Sequence, residues 1–207
     1  MKKSLSLLFA LIGWFAVTAQ FVLMIENRMA PVAETIIRFF SFFTILTNIL
    51  VAGYFTLLSF KPAIVHKPGI LTAVTVYIFM VGSVYQFVLR ATWKPEGLQL
   101  IVDELLHTVI PVLVIIFWTM YENKKAVTFG QIPKWVIYPV AYLVFILIRG
   151  SVSNFYPYPF VNVSEIGITK TLLNSAVLVL VFFIIAALFV SIGKYFSKKR
   201  QEGTASS

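Results

Sequence analysis

Apolar residues are gathered into six continuous blocks, at about 4–25, 36–60, 70–89, 101–121, 135–148 and 168–196. A helix needs about 20 predominantly apolar residues to cross the hydrocarbon core of a bilayer. Only 12% of the residues are charged, against about 25% in soluble domains. The blocks do not alternate between apolar and polar residues, as the strands of a membrane barrel do. The sequence therefore predicts an all-α polytopic membrane protein, a bundle of six transmembrane helices.

The loops between these blocks are short, which leaves no room for a separate soluble domain. We expect one transmembrane domain over residues 1–197 and a polar cytoplasmic tail over residues 198–207. The first block follows a basic Met1-Lys2-Lys3 start, so a cleaved signal peptide with a small-residue site at Val17-Thr18-Ala19 is an alternative. The apolar run continues to Ile25, which is longer than a usual signal core and favours a retained helix.

The distribution of basic residues predicts the orientation, because cytoplasmic loops carry an excess of Lys and Arg. If the N-terminus is inside, eleven of the 17 basic residues lie on the inner side and six on the outer side. The sequence therefore predicts a multi-pass integral membrane protein with both termini in the cytoplasm. The net charge of +9 is explained by this topology, and we do not expect nucleic acid as a partner. The outer set is Arg28, Arg38, Arg90, Lys94, Arg149 and Lys170.

The chain contains few side chains that could act as nucleophiles or metal ligands. The chain has no cysteine, which excludes disulfides and thiol catalysis, and it has two histidines, His66 and His107. A zinc site usually collects three or four His, Cys or carboxylate ligands. His66 belongs to an inner loop, whereas His107 belongs to the fourth apolar block. We therefore predict neither a metal nor another cofactor, and a haem or metal oxidoreductase is a poor third interpretation.

A polar row inside the second block is the best candidate for chemistry. Thr44 and Asn48 are one helical turn apart, and Ser41 is expected about one turn before Thr44 on the same face. Polar groups inside the membrane need protein partners, and His107 is the only histidine in a membrane segment. A threonine hydroxyl is nucleophilic when a neighbouring base removes its proton, and a neutral imidazole is a suitable base. Asp103, one turn before His107, is predicted to accept the second ring N–H, with Glu104 as an alternative.

Further polar residues are predicted on the same outer side. Asn48, Asn174 and Gln86 are candidates for supporting hydrogen bonds, and Arg38, Arg90 and Arg149 are candidates for binding an anionic substrate head. Oxyanion stabilisation is predicted from Arg38, Asn48 or Asn174. Structural roles are the alternatives: arginines at helix ends anchor a protein to lipid phosphates, and small polar residues stabilise helix contacts. The corresponding alternative function is non-catalytic binding or transport of a lipid or small molecule.

Four features carry a resemblance to a known family. They are the six-block layout, the run Phe43-Thr44-Ile45-Leu46-Thr47-Asn48, the run Glu104-Leu105-Leu106-His107-Thr108 followed by Pro111, and Tyr156-Pro157-Tyr158-Pro159-Phe160. In these the chain resembles bacterial relatives of the androgen-induced and androgen-dependent TFPI-regulating proteins.

The eukaryotic members of that family are integral-membrane hydrolases of fatty acid esters of hydroxy fatty acids, with a threonine nucleophile and a histidine. The resemblance implies an intramembrane hydrolase of fatty acyl esters in a bacterial cell membrane. It implies Thr44 as the nucleophile and His107 as its partner, and a shifted register would exchange Thr44 for Thr47.

Overall fold

The protein is almost entirely helical. The structure, a computed structural model, describes the backbone of residues 1–205 and the side chains of all of these except residues 62, 64 and 199–205. No strand occurs in this described part, and the prediction of an all-α protein with six membrane spans is confirmed. The α-helices are α1 (Lys2–Glu26), α2 (Val32–Phe39), α3 (Phe43–Phe60), α4 (Pro62–Val65), α5 (Ile70–Val84), α6 (Gly97–Glu104), α7 (Ile110–Tyr121), α8 (Ile132–Ser153) and α9 (Val163–Ala205).

Six helical segments are long and apolar enough to cross a membrane, which makes the chain a multi-pass integral membrane protein. Two of them are composite, because a π-helical turn continues α5 to Leu89 and another joins α6 to α7. Large apolar side chains on the outside of these helices, such as Leu11 and Phe15, are more than half exposed. Such residues are suited to contact lipid. The segments are Lys2–Glu26, Phe43–Phe60, Ile70–Leu89, Gly97–Tyr121, Phe129–Ser153 and Val163–Lys198.

The described residues group into two compact units, which we treat separately. The first runs from Met1 to Glu122 and the second begins at Asn123. The single domain over residues 1–197 stays a prediction. The predicted tail over residues 198–207 lies mostly outside the described side chains, although the backbone of α9 continues as a helix to Ala205.

The first unit is organised around a close approach of α1 and α3. A Cβ added at Gly13 would lie 2.9 Å from the Cβ of Ala52, so the two backbones meet where neither residue carries a bulky side chain. Small residues at such contacts are typical of membrane helices, whose association depends on packing. Beside this contact, the rings of Phe9, Phe55 and Phe117 pack edge to face, with centroids 5.0–5.8 Å apart. This aromatic cluster joins α1, α3 and α7.

The second unit pairs α8 with α9. The predicted fifth block, 135–148, is too short, because α8 continues through Arg149 and two serines. Those serines satisfy their hydroxyls within the helix: Ser151 donates to the Ile148 carbonyl and Ser153 to the Arg149 carbonyl, at 2.8 and 2.9 Å. The helix ends where Asn154 adopts a left-handed conformation, with φ of 53°. The two serines are therefore accommodated within the helix, which ends only at Asn154.

The predicted second block, 36–60, is not one helix. The amphipathic helix α2 ends at Phe39, residues 40–42 form a turn, and α3 begins at Phe43. Ser41 was expected on the same helical face as Thr44. It lies instead in the turn that precedes α3. Its hydroxyl donates to the Ile37 carbonyl at 2.7 Å. This break places Thr44 in the first turn of α3.

Candidate active site

Two π-helical turns in the first unit bring Tyr85 and His107 together. Residues Tyr85–Leu89 form the first turn and Leu105–Val109 the second. The two rings are stacked, with centroids 4.0 Å apart and planes 15° from parallel. A π turn inserts one extra residue into a helix, changes the direction of the side chains that follow, and is frequent at functional sites. Each helix therefore departs from regular α geometry where it supplies a ring to the site.

The Thr44 hydroxyl faces the Nε2 nitrogen of His107. The Thr44 Oγ1 atom lies 3.4 Å from His107 Nε2. Both side chains are mostly buried, since Thr44 is 9% exposed and the His107 side chain 12%. Thr47 is fully buried on α3. The predicted pair of Thr44 and His107 is thus brought together, at a distance slightly longer than a good hydrogen bond.

The hydrogen bond of His107 Nδ1 determines the tautomer of the ring. Its Nδ1 atom lies 3.0 Å from the backbone oxygen of Asp103 and 3.4 Å from the carboxylate Oδ1 of the same residue. A carbonyl oxygen can only accept a hydrogen bond, so Nδ1 must carry the proton. In the neutral ring Nε2 then carries a lone pair and accepts from the Thr44 hydroxyl. This is the tautomer that a general base requires.

The Asp103 carboxylate is held by a second element as well. It is 4% exposed, and its Oδ2 atom accepts a hydrogen bond from the Tyr85 hydroxyl. Buried carboxylates require such partners, since an unpaired charge away from water is costly. Asp103 lies beside His107 as predicted, and the backbone carbonyl of Asp103 makes the shorter contact.

Asn48 connects α3 to the π turn that carries His107. Its amide nitrogen donates to the Thr44 carbonyl at 2.9 Å and to the Leu106 carbonyl at 3.3 Å. Because both donated bonds go to backbone oxygens, the predicted role of Asn48 as an oxyanion donor is not supported by its hydrogen bonds. Asn48 instead fixes Thr44 relative to the residue that precedes His107.

A polar network lies next to Tyr85. Gln86 donates to the Thr108 hydroxyl, which donates to Glu104, and Arg90 donates to Gln86 and pairs with Glu104. The guanidinium of Arg90 also lies 5.8 Å from the centroid of the Tyr85 ring. Gln86 and Arg90 therefore tie the two helices together beside the stacked rings. Glu104, the alternative orienting residue for His107, accepts hydrogen bonds from Arg90 and Thr108 instead.

The other predicted arginines have partners within the chain. Arg38 pairs with Glu34 at 2.8 Å on α2. In the second unit, Arg149 donates to Ser153 and to the Phe155 carbonyl, both at 3.3 Å. Binding of an anionic head by Arg38, Arg90 and Arg149 stays a prediction, and it would require these arginines to exchange or share their partners.

Asn174 belongs to the second unit, where its amide donates to the Phe160 carbonyl at 2.9 Å. This bond attaches α9 to the loop that contains Tyr156-Pro157-Tyr158-Pro159-Phe160. Support of the site by Asn174 stays a prediction.

Tyr85 is the site residue that sequence reasoning missed. The sequence did contain a signal for it. Tyr85 is the one ionisable side chain between Tyr77 and Arg90, and it adjoins Gln86. A regular helix, however, gives no reason to pair Tyr85 with His107. The stacking depends on two π turns that hydrophobic periodicity does not predict.

The described part of the chain contains no group of three His, Asp or Glu side chains placed to hold a metal ion. Comparisons with protein-family models, with curated proteins and with solved structures find no match to this chain, so its function is inferred from the site itself.

Proposed function

We propose that the protein is an intramembrane hydrolase of fatty acyl esters, with Thr44 as nucleophile and His107 as general base. The observation that carries the proposal is the 3.4 Å contact between Thr44 Oγ1 and His107 Nε2, combined with a proton on His107 Nδ1. Catalytic contacts of this kind are often long in an unliganded site and shorten when substrate binds. The resemblance to the androgen-induced and androgen-dependent TFPI-regulating proteins supports the same two residues.

The first half of the reaction forms an acyl-threonine. Thr44 Oγ1 attacks the ester carbonyl carbon while His107 Nε2 takes the hydroxyl proton. The carbon–oxygen bond to the alcohol then breaks, and the imidazolium returns the proton to the departing alkoxide. Thr44 is the second residue of α3, and the positive end of the helix dipole favours the negative charge that develops on the carbonyl oxygen.

The second half releases the acid. A water molecule attacks the acyl carbon, and His107 Nε2 takes one of its protons. The bond to Thr44 Oγ1 breaks, and the imidazolium returns the proton to the threonine oxygen. The products are an alcohol and a fatty acid, and the enzyme returns to its starting protonation state.

A lipid substrate fits the surroundings of the site. Thr44 and His107 belong to membrane-spanning segments. The acyl chain of a lipid can contact the apolar side chains of these segments while its ester group contacts the polar side chains of the site. Exposed apolar side chains of α2 and of the turn that follows it, among them Ile37 and Phe40, lie close to Thr44 in sequence. We propose that the substrate is an amphiphile taken from the bilayer, at the side opposite the N-terminus.

The test is hydrolysis of long-chain esters by purified protein in lipid nanodiscs. We expect turnover and labelling by a fluorophosphonate probe, and we expect Thr44→Ala and His107→Ala to lose at least about a hundredfold in rate, the usual contribution of a positioned base. Thr47→Ala is the matched control on the same helix and should retain activity.

Two results would contradict the proposal. If Thr44→Ala and His107→Ala hydrolyse esters as fast as the unchanged protein, the site is not catalytic. If no ester is hydrolysed but a lipid is bound or moved across proteoliposomes, the alternative function of lipid or small-molecule binding or transport replaces the hydrolase.

A further inference from the structure

We propose that Tyr85 is a positioning residue that holds His107 in the orientation and tautomer needed for a general base. Tyr85 is 4% exposed and lies on a helix different from those of Thr44 and His107. It contacts the site twice, through its ring on the imidazole and through its hydroxyl on the Asp103 carboxylate. This inference rests on the proposed function and adds a third helix to the site.

The stacked ring limits the rotation of the imidazole. A histidine ring turns about the bond between Cβ and Cγ, and a half turn would move Nε2 away from Thr44. The Tyr85 ring covers one face at 4.0 Å and 15°, so such a turn would collide with it. Aromatic pairs of this geometry contribute about 0.5–1.5 kcal/mol beyond their buried area.

The phenol hydroxyl directs the carboxylate. Tyr85 donates to Oδ2 of Asp103, whereas Oδ1 is the oxygen 3.4 Å from His107 Nδ1. One carboxylate therefore joins the two rings that stack on each other. Fixing Oδ2 leaves Oδ1 beside the Nδ1 proton, and that arrangement favours the tautomer with a lone pair on Nε2.

The geometry distinguishes this role from simple packing. A buried tyrosine that only fills space does not need a hydroxyl at this carboxylate, and phenylalanine would serve equally well. A positioning tyrosine makes two separable contributions. Tyr85→Phe keeps the stack and removes the hydrogen bond, whereas Tyr85→Leu removes both.

The experiment measures the His107 ring directly. Because the chain has two histidines, nitrogen-15 labelling of histidine gives two sets of ring signals, and the exposed His66 serves as an internal reference. In protein reconstituted in nanodiscs, we expect Tyr85→Phe to lower the fraction of the His107 tautomer that carries its proton on Nδ1. We expect Tyr85→Leu to lower it further, with no change at His66.

Kinetics provide the second readout. We expect Tyr85→Phe to reduce kcat about tenfold, by analogy with the lower end of the loss seen when the partner that orients a metal-bound histidine is removed, with KM changed less than about twofold since the substrate is not contacted. The matched control is Tyr121→Phe, which removes a buried hydroxyl that bonds to no described residue. It should leave both the tautomer and kcat unchanged.

The outcomes separate this inference from the proposed function. If Tyr85→Phe and Tyr85→Leu both match Tyr121→Phe in the His107 signals, Tyr85 does not position the ring, even where hydrolysis by Thr44 and His107 is established. If the tautomer shifts as expected but no ester is hydrolysed, Tyr85 positions His107 and the hydrolase proposal fails. Should Tyr85→Phe not fold, Tyr85→Leu provides the spectra and kinetics, and a tautomer equal to that of the unchanged protein would overturn the inference.

Discussion

Asn48 shows how a single buried amide connects two elements of the candidate site. It is fully buried and reaches carbonyls on its own helix and on the π turn of His107. Hydrogen bonds between membrane helices contribute modestly on average, because the unfolded chain in lipid also finds partners. The bond to Leu106 has a further role, since a π turn disturbs the regular pattern of carbonyl pairing and this donor comes from outside the helix.

Asn48→Ala should therefore weaken both stability and the proposed activity. We expect a loss of about 1–3 kcal/mol in the free energy of unfolding, the range for buried groups left without a partner, and a fall in kcat because Thr44 is no longer tied to the His107 turn. Ser59→Ala is the control, since within the described part of the chain this buried hydroxyl on α3 bonds only to the Phe55 carbonyl of the same helix. Denaturation in detergent, followed by circular dichroism, measures the difference. Equal losses in the two variants would contradict the bridging role.

Residue types and spacing were sufficient to predict some members of the site. His107 and Asp103 stand out because imidazole and carboxylate groups are rare in apolar blocks, and Thr44 stands out because it lies one helical turn from Asn48. The structure brings Thr44, His107 and Asp103 together. Arg38 bonds to Glu34 and Arg90 bonds to Gln86, each one helical turn earlier, which is a spacing that the sequence shows. The bond from Arg90 to Glu104 and the bond from Asn174 to the Phe160 carbonyl could not be predicted in the same way, because they depend on how separate segments pack and leave no periodic pattern in the sequence.

At the scale of elements, the positions of the six spans follow from hydrophobic length, but their interruptions do not. The turn at residues 40–42 contains no proline or glycine, and its aromatic side chains are as apolar as those of a continuous helix. The ring of Phe39 packs edge to face against Phe21 of α1 and against Phe40, with centroids about 5 Å apart. The contact between Phe39 and Phe21 is tertiary, and tertiary contacts override local helix propensity, which predicts no break here.

The contact between α1 and α3 gives a direct test of helix packing. Gly13→Leu places a branched side chain where even a Cβ would lie 2.9 Å from Ala52, so the two helices must separate. We expect a loss of about 1–3 kcal/mol in stability, typical of overpacking, measured as a lower midpoint of thermal unfolding in detergent. Gly53→Leu is the matched control, because a Cβ there meets no atom within 4 Å. A midpoint lowered equally by both variants would show that the close approach is unimportant.

At the scale of the whole molecule, charge distinguishes the two sides of the membrane. The loop at residues 61–69 and the one that follows Tyr121 belong to one side, and the loop at residues 90–96 belongs to the other, because successive spans alternate in direction. Lysines dominate the first side, whereas four of the five arginines belong to the second. Lysine and arginine count equally toward orientation, so their combined excess of eleven to six predicts the cytoplasmic side.

The absence of cysteine from the sequence makes this orientation measurable with single substitutions. Lys94→Cys lies in the loop predicted to be outside, and Lys67→Cys is its matched partner in a loop predicted to be inside. We expect a membrane-impermeant maleimide to label Lys94→Cys in intact cells, and to label Lys67→Cys only after the membrane is opened, because positively charged loops are retained in the cytoplasm. The reverse pattern would place both termini outside. It would also put the stacked rings of Tyr85 and His107 towards the cytoplasmic leaflet, so that the proposed ester substrate would have to come from that leaflet.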